Sequence, residues 1–183
     1  VSTSYDRLLA LDARTGKFLW RYDVKLQPDM KVCCGPVNRG VAIGGDYVVM
    51  ATLDARLIAF DRKTGKVAWE TQMMPYKDGY SGTSAPLIVN GLVYTGLAGG
   101  EYGASGVIGA YDLQTGKQVW QIHTVAQPGD PNVKSWADDS WKSGGAPSWT
   151  TGAYDADTDT LFWATGNPSP DWNGDARGGD KLY

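Results

Sequence analysis

Short apolar runs broken by polar turns recur along the whole chain. Tyr47-Val48-Val49-Met50-Ala51, Leu57-Ile58-Ala59-Phe60, Leu87-Ile88-Val89 and Leu92-Val93-Tyr94 are rich in β-branched and aromatic side chains. Runs of that length and composition predict strands, and no segment shows the 3.6-residue apolar spacing of a helix. The punctuation between runs is itself periodic. Asp12, Asp61, Asp112 and Asp155 are each followed eight positions later by Trp20, Trp69, Trp120 and Trp163, and three of the four copies read Asp-x-x-Thr-Gly-Lys between the two. In such a turn Asp accepts from its own backbone and Gly supplies a positive φ, so each copy predicts a β-hairpin.

The Asp positions lie 49, 51 and 43 residues apart, in the range of β-propeller blades of roughly 40 to 50 residues. With the further short runs between hairpins the pattern gives about four strands per repeat, one blade each. A leucine-rich or helical solenoid has a similar period but not this strand composition. The recurrent Trp is large enough to bridge to a neighbouring blade, burying roughly 150–250 Å² there, which accounts for its placement as a docking residue without catalysis. The expected fold is therefore all-β, a propeller of four-stranded blades with tryptophan docking motifs. Residues 1–183 form a partial propeller domain of three to four blades, whose ring must be completed elsewhere because an open ring exposes strand edges. The chain is expected to be an internal piece of a longer protein.

Composition sharpens this picture. Twenty-four Gly, eight Trp and ten Tyr fit many tight turns and large flat side chains, and a net charge of −3 without a basic stripe argues against nucleic acid or an anionic membrane surface as partner. A small or cationic partner fits better. No apolar run reaches the ~18 residues of a membrane helix, and no basic-then-apolar opening marks a signal peptide.

Three features do not repeat from blade to blade. Cys33 and Cys34, in Val32-Cys33-Cys34-Gly35-Pro36-Val37-Asn38-Arg39-Gly40, are the only cysteines; they are either two buried thiols or a strained vicinal ring, the latter compatible with an oxidising compartment. Ala98-Gly99-Gly100-Glu101-Tyr102-Gly103 follows a strand, but a dinucleotide reading fails because the next segment, Val107 to Tyr111, is another strand. Glu101 is either a solvated loop residue or a carboxylate that approaches a hard cation, with glycines leaving room for a flat ligand. The third feature is Gly144-Gly145-Ala146-Pro147-Ser148-Trp149 with Thr165-Gly166-Asn167-Pro168-Ser169-Pro170-Asp171-Trp172-Asn173-Gly174-Asp175. Trp149 falls outside the docking spacing and is free to serve as a stacking platform. Asn167 is a turn residue or an amide-oxygen ligand. Asp171, Asn173 and Asp175 fail as an EF-hand loop, since Ala176 and Leu182 occupy the positions of its Gly and Glu. The single histidine, His123, makes neither a metal cluster nor a triad and reads as a surface residue.

Together, and in this order along essentially the whole chain, these motifs resemble the pyrroloquinoline-quinone (PQQ) alcohol dehydrogenases of the methanol and ethanol dehydrogenase type. The resemblance implies an eight-bladed propeller, of which this chain is about half, with PQQ held between a vicinal disulfide, Cys33–Cys34, and the indole of Trp149. It implies Glu101 and Asn167 as ligands of a calcium or lanthanide ion, Arg39 and Thr83 at the quinone oxygens, and Gly99 and Gly100 along the cofactor edge. Ala98 departs from relatives that carry a hydroxyl there. The family's catalytic aspartate lies downstream of the segment resembling Gly179-Asp180-Lys181-Leu182-Tyr183, so no catalytic residue is expected in this chain; Asp171, Asp175 and Asp180 read as loop residues. The implied activity is oxidation of a small primary alcohol in the periplasm with a c-type cytochrome as electron acceptor, and the family allows a homodimer. Two other readings compete: a non-catalytic scaffold propeller sharing the Trp repeat, and a membrane-bound quinoprotein sugar or polyol dehydrogenase. A scaffold has no need of Cys33, Cys34, Glu101 and Asn167 together.

Overall fold

The computed structural model describes residues 1–136, 138–143 and 145–171. Thirteen strands and five short 3-10 turns make up the described elements, with no α-helix among them. Strands β1 (Ser2–Thr3), β2 (Arg7–Leu11) and β3 (Phe18–Asp23) form the first sheet; β4 (Ala42–Gly44), β5 (Tyr47–Ala51), β6 (Arg56–Asp61) and β7 (Val67–Gln72) the second. The third holds β8 (Leu87–Val89), β9 (Leu92–Gly96), β10 (Val107–Asp112) and β11 (Gln118–His123), and the fourth β12 (Ala153–Asp155) and β13 (Thr160–Phe162). All pairings within these sheets are antiparallel between chain neighbours, as in the blades of a propeller. Four strands per repeat hold for the second and third sheets. In the fourth repeat the residues before the hairpin instead bridge to neighbouring loops, Gly145 pairing with both Ser105 and Pro168.

The continuous apolar runs are explained by burial on both faces of a sheet. In the second sheet Val48, Met50, Ile58 and Phe60 pack with Leu8 and Val24 of the first repeat. The alternate residues Val49, Ala51, Leu57 and Ala59 pack with Val93, Leu97, Val107 and Tyr111 of the third sheet. One strand thus supplies two cores, and no polar alternation is needed along it.

The hairpin turns repeat in detail. Asp12, Asp61 and Asp112 each accept from the amide and hydroxyl of Thr15, Thr64 and Thr115, bonds that hold the three carboxyls below their ordinary pKa. Each hairpin carries a register shift in the same place, at Ala10/Leu11, Ala59/Phe60 and Ala110/Tyr111. The docking predicted for the tryptophans is seen at two junctions. The Trp20 indole donates to the Arg62 carbonyl at 3.1 Å and Trp69 donates to Leu113 at 2.9 Å, each reaching the turn of the next repeat.

Candidate functional site

Loops from the second, third and fourth repeats meet through a run of backbone hydrogen bonds. Gly82 N–H donates to Thr52 at 2.8 Å; Ser81 and Ala98 exchange bonds of 3.1 and 2.8 Å; Ser148 donates to Leu97 at 2.9 Å; Gly166 donates to Pro147 at 2.9 Å and Ala146 to Asn167 at 2.8 Å. Residues far apart in sequence are thereby fixed around one cavity of about 350 Å³. Backbone donors and acceptors consumed in this way leave the side chains to face the cavity.

Cys33 and Cys34 form a disulfide on its wall, which resolves the alternative left open by sequence in favour of the ring. Arg39 and Trp149 also line it, and the guanidinium carbon stands 4.9 Å from the indole centroid, a cation–π contact. Thr83 ties the two together. Its carbonyl accepts from the Arg39 amide at 3.1 Å and from Arg39 Nη1 at 3.4 Å, while its hydroxyl donates to the Trp149 carbonyl at 3.5 Å.

The glycine-rich loop presents Glu101 at the tip of a 3-10 turn, Gly100–Tyr102, closed by Gly103 at φ 82°. Gly99, at φ 131°, leaves no room for a side chain, because a Cβ there would run into the Gly79 carbonyl. Glu101 and Asn167 both line the cavity and both are exposed. The Asn167 amide nitrogen donates to the Pro168 carbonyl at 3.1 Å and to the Asp171 carboxylate. With the Asn167 N–H₂ so engaged, its oxygen is the group left to accept, and a carboxylate with an amide oxygen is a donor set for a hard cation. Among the described residues no three His, Cys, Asp or Glu side chains gather as a metal cluster, so any ion here must draw further oxygens from its ligand or from other residues.

Eight of the nine residues expected at the site line the cavity: Cys33, Cys34, Arg39, Thr83, Gly99, Glu101, Trp149 and Asn167. Gly100 does not. It is buried behind the turn, where an added Cβ would meet Pro147 at 3.0 Å. Its lack of a side chain lets the Glu101 turn close on Pro147. Val37, Ser81 and Asp171 line the cavity without having been expected there. The alternation Val37-in, Asn38-out, Arg39-in was the available signal for the first, but for Ser81 the sequence carries none. Gly144, Trp172, Asn173, Asp175, Ala176 and the 179–183 segment lie outside the described residues. His123 is half-buried rather than at the surface, and its burial lowers its pKa.

All 183 residues match the family described as PQQ: glucose/ethanol/alcohol dehydrogenase, beta-propeller domain. The chain belongs to this family. It is 44% identical over 196 residues to the quinoprotein alcohol dehydrogenase PedH of Pseudomonas putida KT2440, a match covering 98% of this chain and 33% of PedH. To the quinohemoprotein alcohol dehydrogenase ADH IIB of Pseudomonas putida it is 46% identical over 200 residues, covering 100% and 29%. A solved europium-containing methanol dehydrogenase superposes with a TM-score of 0.88 at 32% identity, covering all of this chain and 36% of that one. The chain thus spans about a third of the length of these relatives.

Proposed function

We propose that this chain supplies the cofactor-binding wall of a periplasmic PQQ-dependent dehydrogenase that oxidises a primary alcohol to the aldehyde and passes the electrons to a c-type cytochrome. The observation that carries the reading is the meeting of a disulfide, an indole, a guanidinium, a carboxylate and an amide on one cavity of about 350 Å³. When bound, PQQ supplies a quinone that takes up the two electrons removed from the alcohol, and the metal ion acts as a Lewis acid toward it.

The chain's own residues hold and orient. Cys33–Cys34 and Trp149 offer two flat, apolar faces for a planar ring. Arg39 contributes a cation suited to an oxygen that gains negative charge, and Thr83 fixes it relative to Trp149. A ring stacked on Trp149 competes with the guanidinium for the indole face, so Arg39 is expected to turn toward the ring's edge. Glu101 and Asn167 are the ligands of a calcium or lanthanide ion, the carboxylate bringing charge and the amide a neutral oxygen. No residue of this chain is assigned as the proton-abstracting base. A vicinal disulfide is in keeping with an oxidising compartment.

The test is reconstitution of the full-length protein with PQQ and either calcium or a lanthanide, followed by dye reduction with short primary alcohols. Activity that requires both additions is expected. No activity with either metal across alcohols, alongside activity with a sugar or polyol, would transfer the assignment to the sugar dehydrogenase branch, and absence of PQQ binding would overturn it.

A further inference from the structure

One buried carboxylate has no part in the scheme above. Asp6, in the turn between β1 and β2, is fully buried, and its neighbouring charges are Asp54 and Arg56. Arg56 is engaged by Asp54 at 2.6 Å and Glu70 at 3.0 Å, and Asp6 makes no ion pair among the described residues. Burying an unpaired carboxylate is unfavourable unless its oxygens are used.

They are used to grip the segment that carries the disulfide. Asp6 Oδ2 accepts from the Leu53 amide at 2.6 Å, in the β5–β6 turn, and Oδ1 accepts from Asn38 Nδ2 at 2.8 Å. The preceding residue, Tyr5, donates its amide to the Pro36 carbonyl at 3.2 Å. Asn38 is itself fully committed: its amide nitrogen also donates to the Ala51 carbonyl at 3.2 Å, and its oxygen accepts from Gly40 at 3.0 Å. Asn38 points away from the cavity, but the residues on either side of it, Val37 and Arg39, line the cavity. A flipped Asn38 would forfeit the Ala51 and Gly40 bonds, so its partner must be an acceptor, and only an acceptor-only side chain also satisfies Leu53.

We infer that Asp6 is a positioning residue that, through Asn38, sets where the Cys33–Arg39 segment stands relative to Trp149 across the cavity. The inference rests on the cofactor reading for its consequence, not for its geometry. Desolvation raises the Asp6 pKa to about 6, against the lowering by the Leu53 and Asn38 bonds, so the group remains mainly a carboxylate at neutral pH.

The test compares wild type, Asp6→Asn, Asn38→Asp and the swapped double variant D6N/N38D in the full-length protein. In D6N a second amide faces the Leu53 or Asn38 donor, while the swap restores one donor and one acceptor across the pair at the cost of the bond to the Ala51 carbonyl. Two quantities are read on folded protein: the rate at which a water-soluble phosphine reduces Cys33–Cys34, and the Kd for PQQ from quenching of tryptophan emission at saturating calcium. D6N is expected to raise both about tenfold, with the swap recovering part of the loss, because the Ala51 carbonyl then faces a carboxylate in place of the Asn38 amide. A lowered melting temperature with both quantities unchanged in D6N would make Asp6 merely structural and overturn the inference. If wild type fails to bind PQQ, it is the cofactor reading that falls, and the phosphine rate still decides the role of Asp6.

Discussion

At the residue scale the junctions between repeats rest on single atoms. Gly116, at φ 71°, lies under the docked Trp69, and a Cβ there would stand 2.7 Å from Cδ2 of the indole. Gly116→Ala is therefore expected to destabilise by about 1–3 kcal/mol, from the left-handed backbone and overpacking together, measured as a lowered urea midpoint with unchanged m-value. In the fourth repeat the equivalent position is Asp159, at φ 52°, whose carboxylate accepts the Tyr154 hydroxyl at 2.6 Å. There Asp159→Gly should leave the midpoint within about 0.5 kcal/mol, and a loss equal to that of Gly116→Ala would show that docking is not what Gly116 serves. Asp6 makes a second prediction. Its pKa is raised from 3.8 to about 6 in the folded chain, so between those values the native state holds a proton that the unfolded chain releases, and stability contributed by this group is lost as pH rises through the window. The shift corresponds to about 3 kcal/mol at most. Urea unfolding between pH 4 and 6.5 should show a shallower pH slope in D6N than in wild type; identical slopes would mean that Asp6 does not titrate there.

At the scale of elements, the hairpins were legible in the sequence because each is local. Asp, Thr and Gly at fixed spacing close the same turn three times, and strands β5, β8 and β9 begin where their apolar runs begin. The loop carrying the disulfide was not legible in that way. Between β3 and β4 it has no regular structure to predict, and its place is set by long-range bonds from Tyr5, Asp6 and Thr83. For the same reason the packing of Gly100 on Pro147 is not legible in the glycine-rich motif. The disulfide belongs to this non-local set, and its contribution to ring binding separates from its contribution to folding. A vicinal bridge closes the shortest of loops and so removes little unfolded-chain entropy. Replacing Cys33 and Cys34 together by Ala is thus expected to change the urea midpoint little while raising the Kd for PQQ at least tenfold. A large fall in stability with unchanged Kd would assign the bridge to the fold.

At the scale of the molecule, loops of successive repeats each lend side chains to the cavity, from Cys33 and Arg39 through Thr83 and Glu101 to Trp149 and Asn167, and no repeat alone has a site. The sequence orders these residues along the chain, but their meeting depends on the backbone bonds that run from Thr52 to Asn167 around the inner loops. The oxygen pair Glu101 and Asn167 is the clearest case, joined across two repeats by Gly100 packing on Pro147 and Ala146 bonding to Asn167. If the proposed ion is seated there, the two side chains should not weigh equally. A carboxylate adds a full charge to its oxygen, and attraction to a multivalent ion falls with distance and grows as water is excluded, whereas an amide offers a dipole alone. Terbium added to the full-length apoprotein with PQQ reports occupancy through emission sensitised by nearby indoles such as Trp149. Glu101→Gln is expected to weaken terbium binding about a hundredfold and Asn167→Ala about tenfold, and the difference between the two should be larger for terbium than for calcium because the ion carries the greater charge. Equal losses for the two variants, or a larger loss for Asn167→Ala, would mean that the ion is seated by something other than the carboxylate of the glycine-rich turn.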